Sequence, residues 1–559
     1  MRTSAPQSQL VLDYKHFFGI SPPEDRISLI KHISSDTILC EIAALNYRLH
    51  PKNQTFVDVS FETQAKELCR FSKSAVHFRK YSRVAQNYTN KEHPHPIIFS
   101  RQACVFALEE ILNSSEMQVI PEYRNQGAEI RDATLNYLLA INCEITAIKE
   151  DEGGNIGSLE SLNPKLLPLN ELLVPSDPIQ TIYRSFRLIE FLSRRKGYGT
   201  EVHNYFQREY GLEAEQFVFK LMSIYFRNSN EDPELNVLCF ADEDHYAVFD
   251  KLSQRVHQSE TKKLISIRKW PLIRLDKLKF LIADTTFLID KAYGQYLNDF
   301  WFDMLKQIHS DNGRTTFSFS HYKAEFGYFI EQYLSELLSN CFENYKYSTL
   351  LTFEKLRIQT SKGQIEIADI YFRSSRKILL GQVKSASIYD LEKFGGDVES
   401  LYKKNRTAFF ANFGVDQMIA SLTRMDEMIL QLDSRFPKGH SYEVYPCIIV
   451  NDKALQTPLM ANIFNIRFQE LLNDFKVKKV RVWPLSLIHI SDFERIEVEL
   501  KRNPKQIWEL LRYNHRDKTF VPPFFNTINL RISRLEYSEK ITNFFQNIIL
   551  KYNPKGANK

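Results

Sequence analysis

The sequence predicts an α/β fold in its C-terminal half, a sheet with helices on its faces, preceded by a largely α-helical N-terminal region with a small β element. Three observations predict it. From Ala324 to Ser491, helical and strand-length patterns follow the order helix, strand, strand, strand, helix, strand, with a further strand at the end. The middle strands carry apolar residues on both faces: Ile365, Ile367, Ile378 and Leu380 on one, Ile370, Phe372, Leu379 and Val383 on the other. Such strands suit a sheet covered on both sides. Before about residue 310, most of the chain repeats its apolar residues at helical spacing.

At 559 residues the chain is too long for one ordinary core. We divide it into a mainly helical region 1–310, with a sub-boundary near 160–178, a second module 311–500 and a helical extension 501–559. A net charge of +5 over this length neither demands nor excludes nucleic acid. The seven cysteines are scattered, odd in number and without a CxxC pair. That argues against a disulfide framework and a cysteine-pair zinc site, and for a cytoplasmic protein. No apolar run approaches membrane-spanning length, so no membrane partner is expected. A GxxxxGK[ST] loop is absent, which argues against ATP-driven work. The one compact ligand-like cluster, Glu92, His93 and His95 among prolines, reads as an exposed loop.

Taken in order, Glu62 to Ala85 reads as one helix without a breaker. Ser100 is a natural N-cap for the next helix, and Asp132 for the one after. Ile179 to Gly197 is strongly amphipathic, with Ile182, Phe186, Ile189 and Leu192 at helical spacing. Its basic end, Arg194-Arg195-Lys196, reads as a solvated turn that complements the helix dipole, with a nucleic-acid-facing patch as the alternative. The segments 235–241 and 278–290 read as strands. Ala324 to Phe342 is a helix whose stripe of Ile330, Leu334, Leu337 and Cys341 is flanked by Glu331. Leu351 to Ile358 can form a first strand.

The stretch from Ile365 to Ser387 reads as a β-hairpin, with strands Ile365–Phe372 and Lys377–Val383 around the polar turn Arg373–Arg376. If Phe372 lies opposite Lys377, Asp369 faces Leu380 and has Gln382 as its diagonal neighbour. Asp369, Gln382 and Lys384 then share one face, and Glu366 points away. A slip of one residue would send Asp369 to the other face. Lys393, Lys403, Lys404 and Arg406 follow, interleaved with aromatics, and suit contacts to backbone phosphates. Val415 to Leu432 is a helix with Met418, Leu422, Met425 and Ile429 inward and Gln417 in its first turn. Glu443–Asp452 and Val480–Ser491 are strands; Asn503–Asn514 and Glu536–Lys551 are helices on either side of Pro522-Pro523.

This arrangement resembles the PD-(D/E)xK nuclease superfamily, the restriction-endonuclease-like fold, over roughly Phe317 to Leu500. In that family a helix bearing Glu precedes three strands. The second strand carries an Asp, and the third, about ten to twenty residues later, carries (D/E)xK. Glu331, Asp369 and Gln382-Val383-Lys384 occur in that order. Gln382 departs from the pattern: its carbonyl is a hard oxygen ligand without charge and holds Mg²⁺ less strongly than a carboxylate.

The resemblance implies that Asp369 and the Gln382 carbonyl, with Glu331 and the Val383 backbone carbonyl, bind Mg²⁺ or Mn²⁺. It implies that Lys384 positions or deprotonates the attacking water, or stabilises developing charge. Glu331 would supply the negative charge that Gln382 lacks. The expected substrate is DNA, with RNA second, in defence against foreign DNA or in repair. Gln417 is expected either to contact the nucleic acid, with Lys393, Lys403, Lys404 and Arg406, or to support the start of its helix, the structural role being favoured. Two alternatives carry no catalysis: a nucleic-acid-binding module with a degenerate nuclease fold, and a scaffold whose N-terminal region takes a protein partner or a second copy.

Overall fold

The structure, a computed structural model, describes residues 10–49, 60–72, 74–88, 95–114, 127–150, 171–174, 176–227, 237–241, 246–254, 264–312, 318–342, 344–361, 363–385, 410–437, 439–473, 480–517 and 520–552. It is a mixed α/β protein with helices toward the N-terminus and its largest sheet in the C-terminal half. Among the described residues no helix is long and apolar enough to cross a membrane.

The N-terminal helices follow their local signals with three exceptions. Ser100 caps Arg101–Asn113 through its side chain, which accepts from the Ala103 amide 3.0 Å away. Asp177 caps Pro178–Arg194 in the same way, with proline at the first helical position. The pattern from Glu62 to Ala85, expected as one helix, is two: Phe61–Phe71 and Ala75–Tyr88. Ser72 is extended, and its hydroxyl accepts from the Ser74 amide, so a local side-chain bond replaces the helical ladder. Asp132 is no cap, because its helix starts at Gly127. The segment 278–290 is strand only over its first part. Asp284 caps a short helix, Thr285–Asp290, by accepting from the Phe287 amide.

The small β element has four strands: β1 (Leu238–Phe240), β2 (Ser253–Gln254), β3 (Leu272–Arg274) and β4 (Lys279–Ile282), in the order β1-β4-β3-β2. Helix Phe319–Phe342, here the Glu331 helix, leads into the larger sheet. That sheet contains β5 (Ser348–Thr352), β8 (Ile370–Ser374), β9 (Lys377–Lys384) and β10 (Tyr442–Val450), ordered β5-β8-β9-β10. β11 (Val480–Val482) and β12 (Ser486–His489) share the far edge of β10. β5, β8 and β9 are antiparallel in succession; β10 runs parallel to β9, and β11 and β12 run parallel to β10. A separate hairpin of β6 (Arg357–Thr360) and β7 (Gly363–Glu366) lies between β5 and β8 in sequence.

Three expected strands divide: Val480–Ser491 is β11, β12 and the start of helix Ile490–Arg502, and two others break around the β6–β7 hairpin. Leu351–Ile358 is the end of β5, a 3-10 turn at Phe353–Leu356 and the start of β6. Ile365–Phe372 is the end of β7, a break at Ile367-Ala368-Asp369 and the start of β8. The break lets the chain leave one sheet and enter another.

Apolar side chains cover the sheet on both faces. Ile370, Phe372, Leu379, Tyr445 and Ile449 pack with Leu334, Leu337 and Cys341 of the Glu331 helix and with Phe493 and Ile496 of helix Ile490–Arg502. Ile378, Leu380, Val444 and Ile448 pack with Met418, Leu422 and Met425 of helix Val415–Met428, here the Gln417 helix. The first of these cores also contains Ile182, Phe186, Ile189, Tyr205 and Tyr296, so it takes in residues on both sides of position 310. A buried Arg184–Glu494 pair at 2.9 Å joins the two sides, and the Tyr333 hydroxyl donates to the same carboxylate at 2.8 Å.

Candidate active site at the end of strand β9

The hairpin register decides which side chains meet. Ser374 lies opposite Lys377, Phe372 opposite Leu379 and Ile370 opposite Gly381. The hairpin is thus offset by two residues from the expected register, because the turn is only Ser375-Arg376, with Ser375 at φ 55°. A two-residue offset preserves side-chain parity. Continued one step beyond β8, the register brings Asp369 level with Gln382.

Asp369 sits in the break before β8 and is tied to β9 by its backbone and side chain. Its amide donates to the Gly381 carbonyl at 3.1 Å, and its Oδ2 accepts from the Val383 amide at 2.6 Å. On its other side, the Asp369 carbonyl accepts from the Phe353 amide at 2.7 Å. Phe353 is buried yet has φ 49°, a conformation that L residues rarely adopt.

The Gln417 helix places three polar side chains, at i, i+4 and i+7, over the end of this sheet. The Lys384 ammonium donates to the Gln417 carbonyl oxygen. The Gln382 Nε2 donates to Ser421 Oγ at 2.8 Å, with both residues buried. Arg424 donates to the Glu366 carbonyl at 2.8 Å. Gln417 therefore contacts Lys384 rather than supporting its own helix start. Gly414 precedes this helix with φ 86°, and a Cβ there would lie 2.6 Å from the Lys384 side chain. The close approach of helix to lysine requires glycine.

The charges are concentrated and poorly solvated. Burial pushes the Asp369 carboxyl up to about 6; the Val383 amide opposes this, and the Glu366 carboxylate adds to it. Burial likewise raises Glu331, with the Asp369 charge next in effect. The Lys384 ammonium is lowered by burial, against the attraction of Asp369 and Glu366. Glu331 thus belongs to the same electrostatic cluster.

So does Glu366, which was expected to point away. The break at 367–369 ends the strand parity on which that expectation rested. Arg357 faces Glu366 across the β6–β7 hairpin at 3.4 Å. Ser421 and Arg424 were also missed, although the helical spacing from Gln417 could have indicated them. Nothing in the sequence signals Gly414 as a contact of Lys384. Lys393, Lys403, Lys404 and Arg406 lie outside the described residues.

Among the described residues no group of three or more His, Cys, Asp or Glu side chains is placed to hold a metal ion. Asp369, Glu331 and Gln382 offer hard oxygen donors, the chemistry that a divalent cation of the Mg²⁺ type takes. Glu366 adds to the raising of Asp369, and Asp369 and Glu366 add to that of Glu331, against Lys384 and Arg357.

Comparisons with known proteins identify no relative: no protein-family model matches the chain, and no curated protein or solved structure matches it either.

Proposed function

We propose that this chain is a metal-dependent nuclease of the PD-(D/E)xK type, hydrolysing phosphodiester bonds in DNA and, second in preference, in RNA. The observation that carries the reading is the bond from the Val383 amide to the Asp369 carboxylate, which ties the acid to β9 at the residue before Lys384, with the proton affinities of Asp369 and Lys384 displaced in opposite directions. The order of the Glu331 helix, β5, β8, β9, the Gln417 helix and β10 supports it, as does the turn from antiparallel to parallel pairing at β9. Defence against foreign DNA and repair are the settings in which such an activity would serve.

The residues divide the work as follows. Asp369, Glu331 and the carbonyl oxygens of Gln382 and Val383 would hold Mg²⁺ or Mn²⁺, which lowers the pKa of bound water and offsets phosphate charge. The Val383 amide fixes the Asp369 carboxylate. Ser421 holds the nitrogen of the Gln382 amide, which orients its oxygen. Lys384, with a lowered proton affinity, is suited to hold or move the proton of an attacking water, and Gln417 fixes its tip.

A second reading is favoured by the same polar contacts. Lys384 is satisfied by Gln417 and Gln382 by Ser421, as in a nucleic-acid-binding site that has lost catalysis. The test is cleavage of linear, circular and single-stranded DNA with Mg²⁺, Mn²⁺ or chelator, by wild type, Asp369→Ala and Lys384→Ala. Metal-dependent cutting lost in both variants supports the nuclease. DNA binding without cutting by wild type supports the second reading.

A further inference from the structure

The opposite end of β9 carries a second concentration of charge. Lys377, the first residue of β9, lies opposite Glu443 of β10, and Glu443 lies opposite Arg481 of β11. Residues paired in neighbouring strands point to the same face, so two cations flank one carboxylate in a single row. Helix Gln506–Asn514 crosses this end of the sheet and brings Arg512 to the same carboxylate at 3.2 Å. Lys505 lies at the start of that helix and, like Glu509, acts on Lys377. The group holds four cations, Lys377, Arg481, Lys505 and Arg512, and two carboxylates, Glu443 and Glu509. The excess is two positive charges. Consistently, Arg512 and Lys505 join burial in lowering the Lys377 ammonium, with Glu443 and Glu509 opposing them.

The next row on this face is aromatic. Tyr445 and Trp483 stack with ring centres 5.2 Å apart. The Arg481 guanidinium lies 4.2 Å from the centre of the Trp483 ring, and that of Arg512 lies 5.6 Å from it. The Trp483 Nε1 and the Tyr445 hydroxyl each donate to Glu443 at 2.8 Å. Glu443 is therefore occupied in bracing the rings and Arg512, while Arg481 and Lys505 are exposed. The stacked rings hold the Arg481 and Arg512 guanidinium groups in place, and Arg481 is open to an anion.

We propose that this patch is a second nucleic-acid contact, which grips backbone phosphates of the strand away from the cleavage point. That the polyanion is nucleic acid rests on the nuclease reading. β9 runs from Lys377 to Lys384, about 23 Å at the usual rise of a strand. Seven positions apart, the two lysines point to opposite faces of the sheet, so a nucleic acid that touches both passes around the sheet edge.

The experiment uses the full chain and fluorescently labelled duplex and single-stranded DNA, with chelator present so that cleavage does not interfere. Binding is titrated across a range of salt for wild type, for Arg481→Glu, and for a combined Lys377→Gln, Arg481→Gln, Lys505→Gln variant, with melting temperatures measured in parallel. The expected result is a tenfold or greater loss of affinity at low salt with the melting temperature kept. The slope of log affinity against log salt should become shallower by about 0.9 for each phosphate contact removed from duplex. Unchanged affinity and slope overturn the proposal, as does wild type that binds no DNA. Competition by poly-aspartate as strong as that by unlabelled DNA also overturns it, in favour of an acidic protein partner.

Asp369→Ala separates this proposal from the reading on which it rests. If wild type binds DNA through the patch and never cuts, the patch stands and the nuclease reading falls. If wild type cuts, Asp369→Ala does not, and the patch variants bind as tightly as wild type, the nuclease reading stands and the patch falls.

Discussion

The Val383 amide donates to the Asp369 carboxylate across 2.6 Å, so the strand that presents Lys384 also aims the acid opposite it. Burial and the Glu366 charge raise this carboxyl to about 6. Because its proton affinity is higher folded than unfolded, the folded protein loses stability as pH rises from about 4 through about 6. Asp369→Asn keeps an acceptor for Val383 and removes the charge. It should be more stable than wild type at pH 8 by about 1–3 kcal/mol, with the gap closing below pH ~4. Urea unfolding at both pH values checks this. Mg²⁺ should raise the melting temperature of wild type at pH 8 and leave that of Asp369→Asn unchanged.

Gly414→Ala should move Lys384. The new methyl would stand 2.6 Å from the lysine side chain, on a backbone at φ 86°. Gly211→Ala is the matched control: its φ is 66°, and nothing lies within 4 Å of the added carbon. Both should lose about 1–2 kcal/mol from the left-handed backbone. Only Gly414→Ala should also lose nuclease activity, by tenfold or more. Equal activity in the two variants would show that the lysine adapts.

Ser421→Ala leaves the buried Gln382 nitrogen without its acceptor. The expected cost is about 1–3 kcal/mol. Replacing both partners, as Ser421→Ala with Gln382→Leu, should recover most of that stability and none of the activity. A double-mutant cycle in denaturant, run beside the cleavage assay, measures both.

Arg184→Met strands Glu494 in the core between the two halves. A buried pair broken on one side costs about 3–5 kcal/mol. Adding Glu494→Leu should return a large part of it, because the remaining group, the Tyr333 hydroxyl, carries no charge. If Arg184→Met alone unfolds as wild type does, water reaches this pair and the core is looser than its packing indicates.

Much of this was legible in the sequence because it depends on periodicity. The Glu331 helix, the apolar faces of β8 and β9, and the inward residues of the Gln417 helix follow from spacing alone. Gln382 and Lys384 both reach the Gln417 helix, as strand parity requires, whereas Asp369, in the break, is placed by its bond from the Val383 amide. What was not legible depends on the third dimension. The break at Ile367–Asp369 is set by two sheets competing for one segment, and it returns Glu366 to the site. Gly414 meets Lys384 across thirty positions of sequence, with no local pattern to link them.

The Arg184–Glu494 pair also has a consequence in time. The two residues are 310 positions apart, so at roughly 5–20 residues per second Arg184 leaves the ribosome about 15–60 s before its counter-charge exists. Through that interval Ile182, Phe186 and Ile189 lack the part of their core built from the C-terminal strands and helices. The apolar face of their helix is completed only when the second half of the chain has been made.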